Sequence, residues 1–301
     1  MDRNESKAFF LIALAFCIFF TFSMIGFGPS GNDDAEHLEM AKDASYTGTY
    51  APLFRTISPL FAVQPAAWNF FILFLLCVVP PLLIFKITQE PLSVIFYYAI
   101  SSFFYSFFIG LYAQLLVFIF ILAILASKNN YVRVGLALIG SLSHTQAPYL
   151  MALTLFLVFL NDYAKEKMVL AIGGCSPFWG KKVPDAINGV SYVSPSGYVG
   201  NNLTVNNFLA FGVKICPLPF LFVAVRELGR KKRFDLLALL IVGIFGAFLY
   251  GPRVWLLAAL IMIIGFSFAW KRLEHKRLWG AAVLGFAIFN FEQFVALWAW
   301  C

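Results

Sequence analysis

FFLIALAFCIFFTFSMIGF, residues 9–27, is the stretch of sequence that decides the fold of this chain. It is about 19 residues long and carries no formal charge, so as a helix it could cross the roughly 30 Å hydrocarbon core of a bilayer. Charged residues interrupt the rest of the sequence at intervals, and the apolar runs between them have about the length of helices. Hydrophobic residues make up 61% of the chain and charged residues 12%, and the mean hydropathy is +0.83. This composition predicts an all-α, polytopic membrane protein and excludes an ordinary water-soluble domain.

Lysines and arginines predict the orientation, because they accumulate in short cytoplasmic loops during insertion. The strongest basic loops are residues 226–233 and 271–277, and we place both in the cytoplasm. Arg3 and Lys7 place the N-terminus there as well. The predicted helices are 8–28, 67–86, two within 92–127 with a turn near Ser106, two within 131–160 with a break at 143–148, about 207–225, 236–251, 253–270 and 278–299. We therefore predict one transmembrane domain, residues 1–301, with about 9–11 membrane helices.

The first outer loop, residues 29–66, contains the acidic segment GNDDAEHLEMAKD (residues 31–43) directly after the first apolar run. Asp33 or Asp34 can cap a helix over about 34–46, because carboxylates accept hydrogen bonds from the free N–H groups at a helix start. Apolar residues recur in this helix at helical spacing, which predicts an amphipathic helix along the membrane interface. One interpretation is that the acids are only caps and solvated charges. The other is that the pair has a function.

The same loop resembles a known family in its order of motifs. DDAEHL (residues 33–38), Ala41 and Asp43 follow the first helix, and GTYAPLF (residues 48–54) precedes the second. This order resembles the GT-C superfamily of polyprenyl-phosphate-sugar-dependent glycosyltransferases, closely over about 25 residues and loosely in the later paired helices. The resemblance implies an enzyme that moves a sugar from a polyprenyl-phosphate carrier to a lipid, glycan or protein acceptor on the outer or lumenal face.

The resemblance also implies roles for the acidic residues. Asp34, or its neighbour Asp33, would be the base, since deprotonation of an acceptor hydroxyl needs a carboxylate. His37 or Glu36 would position that base or bind sugar hydroxyls. A site for Mg²⁺ or Mn²⁺ formed by Asp33, Asp34 and His37 stays open, because carboxylate and imidazole suit both ions, although many members of the superfamily need none.

A second candidate site residue, His144, lies at the break SHTQAP (residues 143–148), on the same predicted face as the acids. This break resembles the histidine-bearing helix turn of many superfamily members, which makes His144 and Gln146 candidates for substrate binding. Ionisable residues at membrane depth tend to mark functional sites. The alternative is a hydrogen-bonded structural histidine.

The phosphate of the donor needs a cation, and Arg253 is the first candidate. A guanidinium can donate two parallel hydrogen bonds to a phosphate. An arginine on the outer side is unusual, because lysines and arginines accumulate on the cytoplasmic side. Lys214, Lys181 and Lys182 are alternatives, and Arg55 is close enough in sequence to the acids to pair with one of them. The late outer loop, residues 175–206, offers aromatic and amide groups for a sugar. Snorkelling to lipid headgroups would also explain Arg253.

Rival functions come from other classes of membrane protein. A transporter or channel would show polar groups near the middle of its helices and internal repeats, whereas these apolar runs are almost free of acids. A non-catalytic membrane subunit also stays open, because the chain is short. The net charge of +7 comes mainly from the predicted cytoplasmic loops, so it indicates membrane lipids as partners and does not indicate nucleic acid.

Overall fold

The computed structural model describes residues 3–24, 52–57, 59, 65–101, 112–144, 147–163, 212–250 and 254–299. Within these ranges all regular structure is helical, which confirms the all-α fold class. The helices are α1 (Arg3–Met24), α2 (Pro52–Ile57), α3 (Pro65–Cys77), α4 (Val79–Thr88), α5 (Ser93–Ala99), α6 (Tyr112–Ala126), α7 (Asn130–Gly140), α8 (Ala147–Tyr163), α9 (Leu218–Arg230), α10 (Phe234–Tyr250), α11 (Trp255–Trp270) and α12 (Lys276–Ala299).

Two compact units make up the chain, residues 1–158 together with 274–301, and residues 159–273. In the first unit α1 packs against α3 and α4, α4 packs against α5 and α6, α6 pairs with α7, and α5 packs against α12. In the second unit α11 packs against both α9 and α10. The single transmembrane domain predicted from the sequence stays a prediction.

One run among the described residues, Phe70–Thr88, is long and apolar enough to cross a membrane, with 19 residues and a mean hydropathy of 2.6. Shorter apolar helical runs are Phe10–Phe19, Gln114–Ala126, Ala147–Tyr163, Phe234–Gly246 and Trp255–Trp270. A core helix of a soluble protein passes the same test of length and composition. The predicted 9–11 membrane helices therefore stay a prediction.

Several helix boundaries agree with the sequence. The bounds of α10, α11 and α12 lie close to the predicted ranges. The two helices predicted within 131–160 correspond to α7 and α8, and the break between them lies between Gly140 and Ala147. Two helices, α5 and α6, lie within 92–127, while the predicted turn at Ser106 falls outside the described residues. The predicted helix 34–46 also lies outside them.

Two predicted boundaries are wrong. The expected helix 67–86 is interrupted at Val78, which separates α3 from α4. The expected helix over about 207–225 is interrupted at Cys216 and Pro217, since residues 212–215 are helical and α9 then runs from Leu218 to Arg230. Much of the predicted basic loop 226–233 is therefore the last turn of a helix.

Prolines explain the interruption at Val78. In an α-helix the N–H of each residue donates to the carbonyl four residues earlier, and proline has no N–H. Pro80 and Pro81 therefore leave the carbonyls of Leu76 and Cys77 without their usual helical donors.

Two buried tyrosines of α5 supply the missing donors. The Tyr97 hydroxyl donates to the Leu76 carbonyl over 2.9 Å, and the Tyr98 hydroxyl donates to the Cys77 carbonyl. Tyr97 is fully buried and Tyr98 is 6% exposed. These bonds attach α5 to the junction of α3 and α4. The far end of α5 is held as well, because the Asn290 side chain of α12 donates to the Ala99 carbonyl over 3.0 Å.

The connection between α6 and α7 is closed by side chains. The Asn129 side chain accepts from the backbone N–H groups of Tyr131 and Val132 and so caps the start of α7. Arg133, which is 8% exposed, donates from Nε to the Ser127 carbonyl over 2.9 Å. This end of the helix pair is therefore fixed by local hydrogen bonds.

Small residues let the helices of the second unit approach closely. A Cβ atom at Gly243 of α10 would lie 2.6 Å from the backbone nitrogen of Ala258 in α11. A Cβ atom at Gly265 of α11 would lie 2.7 Å from the Cβ of Ala224 in α9. Both helix crossings therefore depend on glycine.

Arginine–carboxylate pairs order the basic end of the second unit. Nε of Arg230 donates to Glu227 over 2.8 Å, and Arg233 donates to both carboxylate oxygens of Asp235 over 2.9 and 2.7 Å. The hydrogen bond that Arg230 donates to the Glu227 carboxylate raises the pKa of Arg230. Lys231 lies over the Phe268 ring of α11, 4.7 Å from its centroid. The C-terminal ends of α9 and α11 therefore lie together.

Candidate functional site

His144 lies in the turn between α7 and α8. Among the predicted site residues of the first unit, it is the one whose side chain the structure describes. After Gly140 the chain continues in tight turns, with the Leu142 N–H donating to the Ile139 carbonyl and the Ser143 N–H donating to the Gly140 carbonyl, each over 3.0 Å. The His144 carbonyl then accepts from the N–H of Ala147, which starts α8. His144 is 7% exposed, so the imidazole lies inside the protein.

Ser143, next to the histidine, is fully buried, and its Oγ has no hydrogen-bond partner among the described residues. An unsatisfied buried hydroxyl costs about 1–3 kcal/mol, so native proteins rarely keep one unless a water molecule, a ligand or a function accounts for it. Ser143 had no role among the predictions from the sequence. In the sequence, Ser143 is marked only by its position beside the histidine, at a break between apolar runs.

A long-range hydrogen bond attaches the first loop to this turn. The backbone N–H of Leu53 in α2 donates to the Leu142 carbonyl over 2.8 Å. α2 contains the Pro52-Leu53-Phe54 part of the motif on which the family resemblance rests, and it also contains Arg55. The structure thus places the backbone that carries Arg55 beside the turn that carries His144.

Packing fixes the position of the turn. A Cβ atom at Gly140 would lie 2.8 Å from the Cβ of Phe120 in α6 and 2.9 Å from Sδ of Met151 in α8. The last residue of α7 is therefore held between two neighbouring helices. Gly135, one and a half turns earlier on α7, has open space instead within the described structure.

These two glycines give a matched test of the turn. Gly140→Ala is expected to lower the free energy of unfolding by about 1–3 kcal/mol, because the methyl group must displace Phe120 or Met151. Gly135→Ala is expected to be neutral or stabilising, since alanine favours the helix and the methyl group enters open space. Thermal unfolding of both variants in the same detergent measures the difference. Equal stabilities would contradict the close packing at Gly140.

Most of the other predicted site residues lie outside the described part of the chain. Asp33, Asp34, Glu36, His37, Gln146 and Arg253 lie outside the described residues, and of Arg55 only the backbone is described. Lys214 is exposed and belongs to the second unit. The roles predicted for these residues therefore stay predictions.

A metal site is not visible in the part of the chain that the structure describes, where no group of three or more His, Cys, Asp and Glu side chains comes together. The predicted ligands Asp33, Asp34 and His37 lie outside that part. Their binding of Mg²⁺ or Mn²⁺ stays an open prediction.

Comparison with known proteins adds no family. No protein-family model, curated protein or solved structure matches this chain. The likeness to the GT-C superfamily consequently rests on the quoted residues alone.

Proposed function

We propose that this chain is an integral-membrane glycosyltransferase, which moves a sugar from a polyprenyl-phosphate carrier to an acceptor at the outer or lumenal face. The observation that carries the proposal is the hydrogen bond from the Leu53 N–H to the Leu142 carbonyl, over 2.8 Å. It joins the loop that bears the acidic motif to the turn that bears His144. The first loop and the His144 turn, which were both predicted to take part in sugar transfer, are therefore neighbours.

The membrane location is part of this proposal. Large apolar side chains lie on the surface of several described helices, as at Leu11 (62% exposed), Phe19 (71%), Leu138 (68%) and Phe222 (71%). Water disfavours such surfaces, whereas lipid tails cover them without cost. We place the chain across the membrane several times, with a cytoplasmic N-terminus and the site on the opposite side.

The length of α7 affects the depth of the site. Its 11 residues rise about 16 Å, which is about half of the hydrocarbon core. If α7 starts at the inner face, the turn with Ser143 and His144 lies below the outer surface. Irregular backbone at that depth needs protein or a water-filled cavity around it. The proposal therefore includes a vestibule that opens outward.

The chemistry would follow the roles assigned from the sequence. The carboxylate of Asp34 or Asp33 takes the proton of the acceptor hydroxyl, and the acceptor oxygen attacks the anomeric carbon of the sugar. The bond from that carbon to the phosphate oxygen breaks, and polyprenyl phosphate leaves with the electron pair. Cations stabilise the charge that develops on the leaving phosphate. Among the cations predicted from the sequence, Arg55 belongs to the same unit as His144. His144 would bind the sugar or the acceptor.

A donor comparison tests the function. The full chain in proteoliposomes is given a radiolabelled sugar on polyprenyl phosphate or the same sugar on a nucleotide, together with an extract of candidate acceptors. We expect labelled product from the lipid donor alone. Product from the nucleotide donor alone would contradict the proposal. Uptake of the labelled nucleotide sugar into the vesicles without product would support the transporter instead.

A further inference from the structure

A groove of about 620 Å³ lies along α4 beside the N-terminal half of α1, inside the first unit. Eight of its ten lining residues are apolar, among them Phe10 of α1 and Phe74 and Leu82 of the α3–α4 run. The volume falls within the range of ligand sites, about 300–1,000 Å³. From Phe74 to Gln89 the groove follows 15 helical steps, or about 22 Å.

The polar lining residues lie together at one end of this groove. They are Lys86, in the last turn of α4, and Gln89, which ends that helix in a left-handed conformation with φ of 53°. The Gln89 side chain donates to the Lys86 carbonyl over 2.8 Å, and the Lys86 side chain is exposed. Among the described lining residues, the Lys86 ammonium is thus the one charge, and the others are nearly all apolar.

We propose that this groove binds an anionic phospholipid, with one acyl chain along α4 and the phosphate at Lys86. The proposal depends on the membrane location given above and is independent of sugar transfer. One leaflet of the hydrocarbon core is about 15 Å thick, so a groove of about 22 Å accommodates a tail of that leaflet. The positive charge stands at the predicted cytoplasmic end, where a headgroup belongs and where anionic lipids attract lysine.

The helix dipole gives a different explanation for the presence of a lysine at position 86. A cation in the last turn interacts favourably with the negative end of the helix, and that effect does not depend on the lipid. Selectivity between lipids therefore separates the two explanations.

The test measures lipid retention on the full chain. The native protein and its variants are reconstituted in bilayers of equal parts phosphatidylglycerol and phosphatidylcholine, extracted gently, and analysed for bound lipids by native mass spectrometry. Lys86→Gln is expected to lower the preference for phosphatidylglycerol about fivefold, the effect of roughly one surface lysine. Lys128→Gln is the matched control, because Lys128 is an exposed lysine of the same unit outside the groove.

A second pair of variants tests the apolar part. Leu82→Trp fills the groove and is expected to displace the bound lipid, whereas Leu138→Trp, on an exposed position of α7, is expected to leave it in place. An unchanged preference in Lys86→Gln, or an equal loss in Lys128→Gln, would overturn the inference.

Membrane extraction separates this inference from the proposed function. If alkaline carbonate releases the chain from membranes, the membrane location fails, and the lipid site and the proposed function fail with it. If the chain stays in the membrane and Lys86→Gln behaves as the native protein, only the lipid site fails. Loss of sugar transfer with intact lipid selectivity would leave the lipid site standing.

Discussion

Asp34→Asn is expected to lower the rate of sugar transfer by about 10²–10⁴-fold, the usual contribution of a general base. Asparagine has nearly the shape of aspartate, but its amide does not take a proton from an acceptor hydroxyl. If Asp33 is the base, the same loss appears in Asp33→Asn instead. Initial rates with a polyprenyl-phosphate sugar, measured on equal amounts of folded protein, distinguish the two.

The control for these variants lies in the same segment. Glu39→Gln removes one negative charge from the predicted polar face of helix 34–46, where no catalytic role is assigned. Its rate is expected to stay within about threefold of native, as for a surface substitution worth up to about 0.5 kcal/mol. A loss in Glu39→Gln equal to that in Asp34→Asn would point to the charge of the loop. Native rates in both Asp variants would remove the pair from catalysis.

Tyr97→Phe is expected to destabilise the first unit by about 1–3 kcal/mol, because the buried Leu76 carbonyl would lose its donor. The change removes only one oxygen atom, so little packing is lost with it. Tyr98→Phe is expected to act in the same way through the Cys77 carbonyl. Thermal unfolding of the purified chain, with identical lipid and detergent for every variant, measures both.

A double-mutant cycle separates the hydrogen bond from other effects of the tyrosine. Pro80→Ala restores a backbone N–H that can reach the Leu76 carbonyl. In that background, Tyr97→Phe is therefore expected to lower the free energy of unfolding by less than it does in the native chain. Tyr131→Phe is the control, since Tyr131 is 90% exposed and its removal should change stability by less than about 0.5 kcal/mol. Equal costs of Tyr97→Phe in the native and in the Pro80→Ala background would contradict this account of the junction.

Helix positions could be predicted from the sequence where long apolar runs end in charges or prolines. The ranges of α10, α11 and α12 follow from such runs. The break before α8 follows from the polar residues around His144. Pro80 and Pro81 indicate an interruption near Val78 because they lack N–H groups, whereas the apolar run continues through them and predicts a single helix. Local signals of this kind determine elements, and they fail at boundaries when two signals compete.

Contacts between distant segments could not be predicted in the same way. Asn290 and Ala99 are 191 residues apart, and nothing local to either residue indicates the other. The bond between Leu53 and Leu142 uses only backbone atoms, so no side chain reveals it. The crowding at Gly140 likewise depends on which helices become neighbours. The bond between Leu53 and Leu142 and the crowding at Gly140 position the candidate site. A single sequence without covariation contains neither of them.

Cross-linking tests the central claim, that the first loop and the His144 turn form one outward-facing site. A membrane-impermeant bifunctional thiol reagent is added outside intact cells that express Leu53→Cys/Leu142→Cys. The control pair is Leu53→Cys/Tyr131→Cys, since Tyr131 lies at the opposite end of α7, about 16 Å along the helix. We predict a cross-link in the first pair and none in the control. No cross-link in the first pair, or a cross-link that forms only after the membrane is permeabilised, would contradict the account.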